Sequence, residues 1–292
     1  MSADLSATKP AAPRQRFGLR LWVEVVLVGG AYLAYSAVRN LFGSSAVEPS
    51  VAARNADRVI AIEEAVGLYI EASVQQAFIG ATAFIQFWNL FYGAFHFVVT
   101  FGVLVWLYVR FPGDYRFWRR TGLFATWSAL IGFAVFPLMP PRLLGDCGDY
   151  GACRPDQPFV DTVAELGGIW SFESSGFEAI SNQYAAMPSL HIGWALWATI
   201  VLVPRLRSYV LKLMAALYPL LTLFAIVVTA NHYWIDAVGG IVVVALGWWL
   251  SSRYERVTQT GGRTKVIDPG SLTIDLTSNV STGVAHSNHP AS

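Results

Sequence analysis

The sequence predicts an all-α integral membrane protein with six transmembrane helices, an outer-face amphipathic helix and a long outer loop. Three observations lead there. Of 292 residues, 54% are hydrophobic and only 13% charged, with a positive mean hydropathy; an average soluble domain carries roughly 25% charge. The apolar residues are gathered into six windows, and a bilayer core of about 30 Å needs roughly 20 helical residues. Finally, with the N-terminus inside, fifteen of the 20 Lys and Arg fall on the cytoplasmic side and five outside, as the positive-inside rule requires.

The windows are Leu21–Leu41, Ile85–Val109, Phe117–Met139, Ser189–Val203, Tyr209–Ala230 and His232–Ser252. No small-residue cleavage site follows the first, which reads as a retained span and not a signal peptide. Between spans 1 and 2, "VAARNADRVIAIEEAVGLYIEASVQ" repeats apolar residues at helical spacing with charges between them. That pattern predicts an amphipathic helix lying on the membrane surface. Between spans 3 and 4 the loop from Pro140 to Pro188 is rich in Gly, Asp and aromatics, Trp170 and Phe172 included; loops of such length are commonly functional. Spans 5 and 6 are joined by almost nothing, so their outer ends are neighbours. The organisation is then 1–20, a cytoplasmic segment; 21–257, one membrane domain; and 258–292, a disordered cytoplasmic tail of Ser, Thr, Gly and Asn. No internal repeat is visible.

Net charge is +1 and the basic residues are scattered, which argues against nucleic acid as a partner. The two cysteines, Cys147 and Cys153, fall in the outer loop, where an oxidising compartment favours a disulfide between them. A zinc site needs more ligands than that stretch offers.

Ionisable groups at the mouths of apolar spans point to chemistry. "AAMPSLHIGWALW" places His191 at the start of span 4, and "TANHYWIDAVGG" places His232 and Asp236 at the start of span 6. Arg142 opens the loop after span 3, so all four converge on one membrane face. Polar groups inside spans are costly and mark function. His232 and Asp236, four apart, would share one helix face. A carboxylate holding one ring N–H fixes the tautomer and leaves the other nitrogen free to attack. Ser189 is expected to cap the helix that follows it, and the amides of such an end favour a phosphate. The pattern is that of phosphoryl transfer: His232 as nucleophile, Asp236 orienting it, His191 as acid and then base, Arg142 gripping phosphate oxygens. Asn89, Tyr92 and His96 fall on one stripe of span 2, either as a polar seam against a neighbouring helix or as the lining of a headgroup cavity. His96 is expected further down its span than the other histidines and is given no catalytic part.

"PSLH" followed by "HYWID" resembles the second and third motifs of the type-2 phosphatidate phosphatase superfamily. "NLFYGAFHF", "FPLMPPRLL", "AAMPSLHIGWALW" and "ANHYWIDAVGG" are similar in order and spacing to its inositol phosphorylceramide synthase-like branch. The likeness spans roughly Arg54 to Gly240. It implies six spans, an active site at the membrane face, His232 as nucleophile with Asp236 and His191, and no metal or other cofactor. Two departures stand out. The superfamily's Arg six residues before the nucleophile is Ile226 here, and its first motif is absent in the usual form, with "PPRLL" and Arg142 in its place.

The leading expectation is therefore a membrane enzyme that moves a phosphate or phosphorylated headgroup, inositol phosphate among the options, from a phospholipid or polyprenyl-phosphate donor through a phosphohistidine. The acceptor, alcohol or water, separates transferase from phosphatase. A proton-coupled transporter is the alternative of another class, disfavoured by the missing inverted repeats. A metalloenzyme using His96, His191, His232 and Asp236 is disfavoured by the depth expected of His96.

Overall fold

The computed structural model describes residues 20–41, 47–166 and 182–263. Trp170, Phe172, most of the N-terminal segment and the tail from 264 lie outside the described residues. The described chain is helical, with one isolated parallel bridge, Leu138 to Ala185. Its helices are α1 (Leu21–Leu41), α2 (Pro49–Ala65), α3 (Glu71–Phe78), α4 (Thr82–Leu90), α5 (His96–Arg110), α6 (Pro112–Val135), α7 (Thr162–Leu166), α8 (Leu190–Leu202), α9 (Tyr209–Val228) and α10 (Asp236–Arg263). A π-helical turn, Phe91–Phe95, joins α4 to α5. Residues 1–253 form one compact unit; the second begins at Tyr254, and its described part is the end of α10.

Four stretches are long and apolar enough to cross a membrane: Leu21–Asn40, Thr82–Arg110, Tyr209–Val228 and Asp236–Thr258. Their apolar side chains point outward as well as inward. Trp22, Val26, Val210, Met214 and Trp249 are all at least half exposed, as helices solvated by lipid tails would be. α6 begins with Asp114, Arg116, Arg119 and Arg120, and α8 has only 13 residues. Neither stands as a span on length and hydropathy alone, because charge in one and shortness in the other dilute the apolar signal.

Several boundaries differ from the sequence expectation. The helix carrying Asp236 starts at that residue and not at His232, and it runs on to Arg263, past the Thr258 where the tail was expected to begin. The single amphipathic helix is two. Gly67, at φ 70°, ends α2, with the amide of Leu68 donating to the carbonyl of Glu63 at 2.8 Å. A left-handed residue just past a helix is where glycine costs least. The inner face of α2 is made of Ala52, Ala53, Ala56 and Val59, packed on Leu138, Met139, Leu144, Tyr184 and Tyr233. Small residues let this helix sit close to the chain leaving α6. Asn55 donates to the Pro137 carbonyl at 2.9 Å, and the Met139 amide donates to Ala52 at 3.3 Å.

α8 packs against α9, α5 and α6, with Trp197 and Val201 buried among Val103, Leu107, Ala125 and Val244. Where α8 crosses α10 the backbones touch. A Cβ at Gly240 would lie 2.6 Å from the Ser189 carbonyl oxygen and 3.1 Å from the Gly193 amide. Close approach of this kind needs a residue without a side chain. Gly240→Ala is therefore expected to push the two helices apart at the turn bearing His191 and Asp236, at a cost of about 1–3 kcal/mol. A melting temperature and turnover both equal to wild type would refute the contact.

Candidate active site

α9 ends at Val228, and the chain reverses through Thr229 to Ile235 before α10 begins. Ala230 takes φ 51° there, an uncommon conformation for a residue with a Cβ. Four backbone bonds hold the turn: the Ala230 amide to Val227 at 2.9 Å, its carbonyl accepting from Arg142 at 2.9 Å, and the Asn231 and His232 amides both turned back onto Ile226. His232 is thus set in a tight turn and not on a helix face. The contact with Asp236 forms all the same. His232 Nδ1 lies 3.2 Å from Asp236 Oδ2, which also accepts the Tyr233 amide at 3.1 Å. Both side chains are buried, Asp236 completely. With Nδ1 held by a carboxylate, Nε2 is the nitrogen left with a lone pair.

The three amides after His232 share one pattern. Tyr233 donates to Asp236, Trp234 to Glu71 at 2.9 Å and Ile235 to Glu63 at 3.2 Å, so consecutive N–H groups each meet a different buried carboxyl group. Trp234 adds a bond from its indole N–H to Leu68 at 2.7 Å. Glu63 and Glu71 are among the charges of the expected surface helix, and both are fully buried beneath the turn. Burial, with the neighbouring Glu71, raises Glu63 from its ordinary 4.5 to about 9. Burial raises Glu71 as well, against the amides of Trp234 and Ile70 that favour its charged form. The pair therefore keeps a proton at neutral pH.

The sign of the resulting pH dependence follows. A carboxyl group whose folded pKa lies above its unfolded one stabilises fully below the unfolded value and loses that contribution as pH rises through the folded one. Wild-type stability should fall between about pH 5 and pH 9, the window set by Glu63. Glu63→Gln, which mimics the protonated acid, should flatten that slope in melting curves taken across the range. An unchanged slope would show that Glu63 does not carry the proton.

His191 is the second residue of α8, and its ring centroid is 5.4 Å from that of His232. Tyr92, in the π-turn, stacks on it at 4.3 Å, and His96 meets its edge at 4.4 Å. His96, from further along its span, thus reaches the ring of His191. One helical turn separates it from Tyr92, about 5.4 Å, and one imidazole spans that distance. Its Nδ1 lies 2.9 Å from the Tyr92 carbonyl oxygen. Asn89 turns elsewhere: it trades two 2.9 Å bonds with Thr162 and fastens α7 to α4. Of the expected polar stripe, Tyr92 lines the cavity, His96 backs it, and Asn89 forms a seam.

Ser189 directly precedes α8 but does not make the expected capping bond. Its amide donates to the Asp236 carbonyl at 3.1 Å, which ties the two histidine-bearing segments together. Its Oγ is fully buried and has no hydrogen-bond partner among the described residues. Arg142 pairs with Asp161 through Nη1 and donates to Gln183 from Nη2 at 2.5 Å. Asp161 in turn accepts the amides of Val163 and Ala164, both 3.1 Å, at the start of α7. Cys147 and Cys153 are joined in a disulfide in the same loop, Cα atoms 4.1 Å apart.

These groups surround a cavity of about 200 Å3 lined by His191, His232, Tyr92, Arg142, Asn231 and, from α1, Tyr35 and Arg39. From sequence, Arg39 counts only among the five basic residues of the outer side. Its one visible signal was position, at the end of the first span. Among the described residues no three His, Cys, Asp or Glu are disposed to hold a metal ion; two of the imidazoles spend Nδ1 on Tyr92 and Asp236.

Apolar helices long enough to span a bilayer enclose two histidines and two guanidinium groups on one cavity wall, with a carboxylate behind one histidine, and mark a membrane-embedded protein. The family model of the PAP2 superfamily matches residues 57–250, and the chain belongs to that superfamily. Among curated proteins and among solved structures nothing matches. Membership brings a phosphatase-like activity on lipid phosphates, in a group of phosphatases and phosphotransferases that use a histidine nucleophile.

Proposed function

We propose that this protein is a lipid phosphotransferase of the inositol phosphorylceramide synthase-like kind, working through a phosphohistidine on His232. The observation that carries this reading is the buried His232–Asp236 contact facing His191 across a cavity that also holds two arginines. The His232 Nε2 lone pair attacks phosphorus, and the bond from phosphorus to the donor's alcohol oxygen breaks. His191 gives that oxygen its proton. An acceptor O–H then attacks the phosphorus; His191 takes its proton back, and the P–N bond breaks to free His232. Asp236 holds the tautomer and balances the charge on the ring as it reacts. Arg142 and the amide end of α8 behind Ser189 complement the phosphate oxygens.

The short α8 and charge-led α6 are read as the two further crossings of a six-span bundle. Both termini then lie in the cytoplasm and the site opens on the outer face, with α2 and α3 as the helices of that face. The charge asymmetry of the chain supports this orientation. Substrate tails would lie among lipid while the phosphate reaches the histidines.

The test is turnover by the full chain in liposomes offered phosphatidylinositol or a polyprenyl phosphate, with and without an alcohol acceptor and with and without chelator. Headgroup appearing on the alcohol, indifferent to chelator, is the expected result. Phosphate released only to water would make the protein a phosphatase using the same residues. No turnover and no phosphoenzyme with either donor would overturn the reading.

A further inference from the structure

The superfamily's arginine before the nucleophile is replaced here by Ile226, which is completely buried in an apolar cluster with Ile192 and Val227. No cation reaches the site from there. Arg142 faces the cavity, but both terminal nitrogens of its fork are occupied, one by Asp161 and one by Gln183. Its charge is largely compensated before any ligand arrives. The other guanidinium on the cavity wall is Arg39, at the last turn of α1. Among the described residues it makes no salt bridge; its Nε, like that of Arg142, is shut off from solvent with no hydrogen-bond partner. Tyr35, one turn earlier, and the carbonyl of Arg39 itself, which accepts from Asn182 at 3.4 Å, fix where the side chain starts. Its charge is felt by both Tyr92 and His191. A half-buried cation without a counter-ion carries part of the cost of desolvation, and that cost is relieved when an anion enters.

We infer that Arg39 is the principal phosphate-binding cation of this site, supplied by α1 from outside the matched family segment, while Arg142, already paired with Asp161, has the lesser share of the phosphate and also positions the loop that walls the cavity. This rests on the phosphoryl-transfer reading above. It assigns α1 a part in binding as well as anchorage. A planar fork on α1 can hold two non-bridging oxygens while His232 and His191 act along the line through phosphorus.

The experiment measures inhibition by orthovanadate and by inorganic phosphate for the full chain in detergent, with vanadate-induced thermal stabilisation as a second readout. Arg39→Gln should weaken both anions about tenfold or more, as expected for losing a charge-assisted pair. Arg39→Lys should retain part of that binding, and Arg54→Gln, an exposed arginine on α2, should match wild type. Activity of Arg39→Ala should return on adding methylguanidinium but not an equal concentration of sodium chloride, a rescue that a merely structural role would not give. Vanadate inhibition of Arg39→Gln within twofold of an active wild type, or no rescue of Arg39→Ala, overturns the assignment of Arg39 alone. A wild type that neither turns over nor is stabilised by vanadate overturns the phosphoryl-transfer reading and this inference with it.

Discussion

His232→Ala should lose about 10^4-fold or more in turnover, because the proposed covalent intermediate forms on its ring. His191→Ala should behave differently, and the difference is diagnostic. With a lipid alcohol as leaving group both steps need its proton, and the loss should be about 10^2- to 10^4-fold. With a nitrophenyl phosphate the leaving oxygen needs no acid, so the first step proceeds and the second stalls. A phosphoenzyme labile to acid and stable to base should then accumulate in His191→Ala and be missing in His232→Ala. Label found on both variants, or full turnover by His232→Ala, would remove His232 from the nucleophile's place.

The second large effect concerns Asp236. Asp236 Oδ2 accepts from both His232 Nδ1 and the Tyr233 amide, so Asn at this position can keep an oxygen there but loses the negative charge that balances the ring. The Nδ1 proton is then held by a neutral acceptor only, and the positive charge that builds on the ring as Nε2 attacks goes uncompensated. In hydrolase triads the same exchange at the orienting carboxylate costs about 10^4-fold in kcat, and a loss of that order is expected here. KM should change little, since Asp236 is fully buried and does not line the cavity. Nitrogen NMR on labelled histidine gives an independent readout: wild-type His232 should carry its proton on Nδ1, and Asp236→Ala, which removes the acceptor, should carry it largely on Nε2. The same tautomer in both proteins would refute the orienting role.

The histidines, Asp236 and Arg142 were legible because each stands beside a local signal, an apolar run broken by an ionisable group within a few residues of a turn. Their partners carried no such signal. Glu63 and Glu71 obey the periodicity of a surface helix, and only the turn after α9, some 160 residues on, reveals that their side is the buried one. The reading of α2 and α3 as one helix failed at Gly67, since a single glycine inside a periodic pattern does not by itself announce a break. Arg39 was invisible for another reason. A cation at the end of a span is the commonest of features, and only the packing of α1 gives it a cavity to face. Asn89 was ambiguous between seam and cavity because periodicity specifies a stripe and not what lies opposite it. Boundaries at α8 and α10 slipped by a few residues because hydropathy tracks lipid contact, while hydrogen bonding decides where a helix starts.

The π-turn at Phe91–Phe95 gives the span that holds Tyr92 and His96 an unusual kind of sensitivity. A π-turn houses one residue more than an α-turn, and one residue is about 100° of rotation. The helix above it and the helix below it are therefore out of phase, each aimed at its own neighbours. Side-chain replacements leave that phase alone. Removing a single residue from 91–95 would restore an unbroken helix and turn one half against the other, carrying either Tyr92 off His191 or Val103 and Leu107 off Trp197. In this protein a one-codon deletion is a larger event than most substitutions, and the loss or gain of that extra residue is a route by which relatives could exchange one headgroup pocket for another.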